Sequence, residues 1–177
     1  MFNPPEVNLE VYEIPSDLKD EYWAIFAKHH YLTKKIHKGA RMWVAYLWGN
    51  PVAFNSVLPL PHGSLKRAWR GHRLVVLSDY QGMGIGSMMI EFVGQQLLKE
   101  DKRYFTKTAN IKLGRFRNAS PRWRPTGSNG KVTKDTMSAS LDRKRKGIPN
   151  SKEVYDQSMA HRICYTHEFV GDKGYES

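Results

Sequence analysis

Residues 81–87 read Gln-Gly-Met-Gly-Ile-Gly-Ser, with glycine at every second position. Glycines in this pattern let backbone N–H groups approach an anion closely, and a helix starting there points its positive dipole end at the same place. Gln81, Gly82, Met83, Gly84, Ile85, Gly86 and Ser87 therefore form a ready cradle for a phosphate or pyrophosphate. Two rival nucleotide motifs fail. The spacing is not Gly-x-Gly-x-x-Gly, and no acid stands about twenty residues on at the end of a second strand, as a dinucleotide site requires. No Gly-Lys-Ser/Thr follows, so the segment is not a Walker loop.

The other reactive side chains narrow the chemistry further. Cys164 is the single cysteine, which rules out an internal disulfide and a cysteine-built metal site. His161 and His167 have no acids at metal-ligand spacing, so no metal is indicated. The chain carries 28 Lys and Arg against 17 Asp and Glu, a formal net charge of +11. Residues 102–152 hold 15 of those cations and 2 acids, leaving 13 cations and 15 acids elsewhere. A basic region on a near-neutral body points to a polyanionic partner, most simply nucleic acid, or else to a solvated loop.

Around the glycine segment the chain alternates strand and helix patterns. Residues 6–14 alternate through Val7, Leu9 and Val11 as a half-buried strand. Ser16 then offers an N-cap for a helix marked by Leu18, Tyr22, Ile25 and Phe26, running to about residue 30. Basic residues 31–41 read as a loop. Strands over 42–48 and 52–58 flank Gly49-Asn50, a tight-turn pair. A strand over 69–77 leads into the glycines, and Ile85, Met89, Phe92, Val93 and Leu97 mark the helix behind them. A strand over 103–109, a helix over 111–119 stopped by Pro121, and a closing strand over 162–170 complete the pattern. Residues 122–159 are polar and show little periodicity. Apolar runs such as 74–77 are strand-length, far below a bilayer span. The start, Met-Phe-Asn-Pro-Pro-Glu, has no basic or apolar leader character, so no membrane role and a cytoplasmic location are expected. The length fits one domain spanning 1–177 with a basic insertion at 126–160.

Gln81, Gly84 and Gly86 occupy the defining places of the GNAT acetyltransferase signature, Gln/Arg-x-x-Gly-x-Gly/Ala, and the chain resembles that superfamily. The longer string 69–82, with His29-His30-Tyr31-Leu32, Ser120-Pro121-Arg122-Trp123 and Glu168-Phe169-Val170-Gly171, is similar to a narrower group. That group includes domains associated with ABC-type ATPases and proteins of phage or mobile DNA. His30-Tyr31 also resembles a His-Tyr element of the Mom DNA-modification proteins. The resemblance implies an α/β GNAT fold, with a mixed, mostly antiparallel sheet splayed in the middle and helices on both faces. It implies acetyl-CoA bound between the splayed strands 69–78 and 103–109. Val75, Val76 and Leu77 would pair with the pantetheine arm, 81–87 would hold the pyrophosphate, and Asn110 and Asn118 would add polar contacts. Asn110 and Asn118 equally suit a helix cap or a surface amide.

In this family transfer is generally direct, so Cys164 reads as a core residue and a backbone N–H near Val76 as the oxyanion donor. His30 with Tyr31, and His72, are candidate bases because an unperturbed imidazole titrates near 6.5. Tyr165 is the candidate acid, since the family's usual tyrosine position on the helix after the second splayed strand holds Phe116 or Arg117. Arg115, Arg117, Arg122, Trp123, Arg124, Arg143, Lys144, Arg145 and Lys146 combine cations with an aromatic ring, the mixture that binds phosphates and stacks bases. The resulting expectation is an acetyltransferase acting on an amine of a nucleic-acid base, with hypermodified phage-type DNA as the acceptor. A small-molecule or protein amine, and a non-catalytic module acting with nucleic acid or an ATPase, are the alternatives. A homodimer is compatible with the family.

Overall fold

The computed structural model describes residues 8–30, 36–132 and 163–172. Tyr31, Arg143, Lys144, Arg145 and Lys146 lie outside the described residues. Strand β1 (Glu10–Glu13) occupies the second half of the expected 6–14 span and lies antiparallel on β2 (Arg41–Leu47). Helix α1 (Lys19–Ala27) starts later than Ser16 suggested: Leu18 is the N-cap, without a side-chain bond. Residues 15–18 instead close a turn in which Leu18 N–H donates to the Pro15 carbonyl at 3.1 Å.

The hairpin between β2 and β3 (Asn50–Pro59) differs by one residue from the Gly49-Asn50 expectation. Leu47 pairs with Asn50, so Trp48 and Gly49 are the two turn residues, at φ 51° and 76°. Positive φ at both positions is the turn geometry that matches strand twist. Burial sets this register. Leu47 is buried in the core while Trp48 is 79% exposed, and a one-residue slip would exchange their faces.

Strand β4 (Ala68–Val76), helix α2 (Ile85–Lys99), strand β5 (Arg103–Thr108) and helix α3 (Ile111–Ala119) follow the sequence pattern closely. The polar stretch after α3 holds two short strands that its periodicity did not reveal, β6 (Trp123–Pro125) and β7 (Lys131–Val132). Both pair with the closing strand β8 (Ile163–Phe169), and Asn129 between them accepts from Thr166 N–H at 2.9 Å. The start of the expected 126–160 insertion is therefore part of the sheet.

Strand order is β1-β2-β3-β4-β5-β8-β6, with β7 also on β8, and among the described strands only β4 and β5 run parallel. One face packs α2 against Trp43, Ala45, Leu47, Tyr104 and Phe169. The other packs Trp23 and Phe26 of α1 against Met42, Val44, Phe54 and Val75. α2 and α3 share their face through close approaches. A Cβ on Gly94 would meet the Phe169 ring at 2.4 Å, and one on Gly114 the Tyr165 ring at 2.2 Å.

Candidate active site

β4 and β5 stay together for three residue pairs only, ending at Arg70 opposite Phe105. Just beyond, Ser56 pairs with Arg73 and Val57 with Gly71, which leaves His72 as the extra residue of a bulge in β4. A bulge bends its strand. From there β4 pairs with β3 alone and β5 with β8, and a gap opens between them.

Leu77 N–H donates to Val52 O on β3 at 3.0 Å. By strand alternation Val75 also faces β3, while Leu74 and Val76 turn their backbone groups into the gap. Of the residues expected to meet the pantetheine arm, Val76 is thus aimed at it, and Val75 and Leu77 are committed to β3. Leu74, which sequence reasoning passed over, is the second residue aimed there; strand parity alone would have found it. The Gln81 side chain donates to Val76 O at 3.0 Å and so ties the start of the glycine loop to the end of β4.

The loop turns through Gly82 and Gly84 at φ 84° and 79°, values only glycine adopts freely. Gly84 is the N-cap of α2 and no side chain caps the helix, so its first N–H groups remain open to an anion. Ile85 is buried and anchors the turn in the core; Met83 is exposed. Gly84, Gly86 and Ser87 face Asn110, Lys112 and Phe116 of the α3 region across a cleft of about 640 Å³. Asn110 also caps α3, its Oδ1 accepting from Leu113 N–H at 3.1 Å. Asn118 does not line the cleft: its Oδ1 accepts from Asn129 Nδ2 at 3.0 Å and lies 2.7 Å from His167 Nε2.

The cleft runs into a smaller cavity of about 130 Å³ at the gap, and Leu74 and Leu113 line both. His72 lines this inner cavity. Its Nε2 is buried and makes no hydrogen bond among the described residues. Burial first, then the charges of Arg73 and Arg70, push its imidazole down to about 4, so it is neutral near pH 7 and a weak base. His30 stands against Trp23, ring centroids 5.9 Å apart, and burial and Arg73 lower it too. Tyr165 packs on Gly114 and lines neither the cleft nor the inner cavity.

Two residues expected to touch nucleic acid are core residues instead. Arg117 is buried, donates to Thr106 Oγ1 at 2.9 Å and lies 4.7 Å over the Trp123 ring. Burial lowers its guanidinium to about 10. Trp123 is buried and donates its indole N–H to Glu91 at 2.9 Å. Arg122 bridges Glu91 and Asp172. Arg115 and Arg124 are exposed. Cys164 is buried, as a core residue would be.

Residues 38–121, which hold the hairpin, the gap and the glycine loop, match the family described as "Acetyltransferase (GNAT) domain". These residues are thus similar to GNAT acetyltransferase domains. Such a domain is an enzyme that draws its acyl group from acetyl-CoA. The open helix end, the loop glycines and the 640 Å³ cleft fit that donor. The fold around these residues is similar to an IAA acetyltransferase from Bacillus cereus, at 12% identity and TM-score 0.57, covering 92% of this chain and 99% of that one. It is equally similar to the ribosomal-protein-S18-alanine N-acetyltransferase of Escherichia coli, at 12% identity and TM-score 0.57 over 96% and 99%. A Bacillus subtilis acetyltransferase solved with CoA matches at 10% identity and TM-score 0.55 over 93% and 98%. No curated protein matches at the sequence level. Among the described residues no helix is long and apolar enough to cross a membrane.

Proposed function

We propose that this chain transfers the acetyl group of acetyl-CoA to an amine carried on a nucleic-acid base, with hypermodified phage-type DNA as the acceptor class. The transferase half of this reading rests on one observation: a β4–β5 gap that joins an open helix terminus to a cavity lined by His72. The nucleic-acid half is supported by the 15 cations and 2 acids of residues 102–152.

Acetyl-CoA supplies a thioester, whose acyl carbon is the electrophile. The Val76 N–H, fixed in strand β4 and aimed into the gap, is the donor for developing oxygen charge. In this reading His72, which lines the same cavity, relays the proton released by the acceptor nitrogen toward solvent; at about 4 its imidazole is neutral but too weak a base to hold that proton near pH 7. Phe116 lines the donor cleft where the family usually has a tyrosine and offers no proton, so the departing sulfur is protonated by another group or by water.

The test is release of free CoA from acetyl-CoA, with aminomethylated duplex DNA, ordinary duplex DNA and a polyamine as parallel acceptors. Release with the modified DNA, and a matching mass gain on its digested nucleosides, is the expected result. Release with the polyamine alone transfers the assignment to small amines. Donor binding without release on any acceptor favours a non-catalytic or partner-dependent module.

A further inference from the structure

The sheet face opposite α2 and α3 carries a second large cavity, a groove of about 640 Å³ across β4, β5, β8 and β6. Its floor is Phe105 with Leu60 and Leu65, and its rim is Arg70, Lys107 and Arg124. Gly71, Thr106 and Lys107 line both this groove and the inner cavity that holds His72. The groove therefore reaches the reaction centre through the β4–β5 gap, on the side away from the donor cleft.

Its electrostatics are one-sided. Glu168 is the acid among its lining residues, and it is buried and already taken: Arg103 donates to it at 2.6 and 3.0 Å and Arg124 at 2.8 Å. That carboxylate holds the two guanidiniums in place. Arg103 also lies 5.0 Å over the Phe105 ring. Arg70, Lys107 and Arg124 are exposed. An aromatic and aliphatic floor suits a flat ring, and exposed cations placed around it on β4, β5 and β6 suit phosphates.

We propose that this groove seats the acceptor nucleotide, its base over Phe105 and its flanking phosphates against Arg70, Lys107 and Arg124. The inference rests on the nucleic-acid reading above and locates the acceptor within it. An acidic peptide would match the rim cations and gain little from the aromatic floor, which is why a nucleotide is the occupant chosen.

The experiment is fluorescence anisotropy of a short labelled single-stranded DNA, titrated over a range of salt. The double substitution Arg70→Gln, Lys107→Gln removes two rim charges and leaves the Glu168 network intact. It is expected to weaken binding about tenfold and to reduce the slope of log K against log salt by about 1.4. Phe105→Leu is expected to weaken binding about fivefold or more with the slope unchanged. Lys99→Gln, an exposed lysine at the far end of α2, is expected to change neither. Retention of acetyl-CoA-induced thermal stabilisation in each variant confirms an intact donor cleft. Wild-type binding that all three variants preserve overturns the groove and spares the nucleic-acid reading. Equal weakening by Lys99→Gln also overturns it, by showing charge without location. A wild-type protein that binds acidic peptide but no DNA removes both readings.

Discussion

His72 owes its character to where it sits. As the extra residue of the β4 bulge it faces a small cavity, and burial with two neighbouring arginines keeps it neutral. If it relays the acceptor proton, His72→Gln should lower kcat/KM about 10²- to 10⁴-fold and leave donor-induced stabilisation intact. The same burial has a consequence for stability. In the unfolded chain a histidine binds a proton below about 6.5, whereas folded His72 does so only near 4. Between those values the unfolded state holds more protons, so stability falls as pH falls. His30 and His167, also lowered by burial, add in the same direction. Thermal melts should show Tm dropping from about pH 7 to about pH 5, with His72→Gln reducing the drop. A Tm constant across that window contradicts the assignment.

At the level of elements, two helices hold the site by packing glycine against aromatic rings. Gly94 of α2 lies on Phe169, and Gly114 of α3 on Tyr165. Their substitution by alanine inserts a methyl group where ring atoms already stand, so each should destabilise by about 1–3 kcal/mol. Chemical denaturation would measure it, and values near zero would mean that the helices shift freely. The β2–β3 hairpin predicts the opposite sign. Trp48 occupies a left-handed position, is 79% exposed and contributes little burial. Trp48→Asn should relieve about 1 kcal/mol of backbone strain. Differential scanning calorimetry should show Tm rising by about 2–4 °C.

On the scale of the whole molecule, donor cleft, inner cavity and basic groove each share wall residues with the next. Donor and acceptor can then approach the gap from opposite faces of one sheet. Because the donor cleft is built only in the folded chain, acetyl-CoA should raise Tm through mass action. At about 100 times Kd the gain is about 2.7 kcal/mol, and for a chain of this size that is about 5–10 °C. Gly84→Val, which places a branched side chain at φ 79°, should abolish most of that shift.

Much of this was legible beforehand for physical reasons that act locally. The glycine loop, helix α2 and helix α3 follow from residue type and a 3.6-residue period, and α3 matches its expected span of 111–119. Charge concentration in 102–152 is likewise a property of composition. Pairings between distant residues were not legible. Arg117 and Trp123 read as a nucleic-acid surface, yet α3 folds onto β6 and buries them against Glu91 and Thr106. Asn118 points to His167 rather than to the donor because β8 passes beneath it. Strands β6 and β7 are too short to show a period and exist because β8 offers them an edge. The groove joins Arg70, Phe105 and Arg124 from three strands, so no local motif could announce it. Local propensity and composition determined the phosphate loop, the helices and the charge. Long-range strand register and burial decided which side chains face the gap, which fill the core and which line the groove.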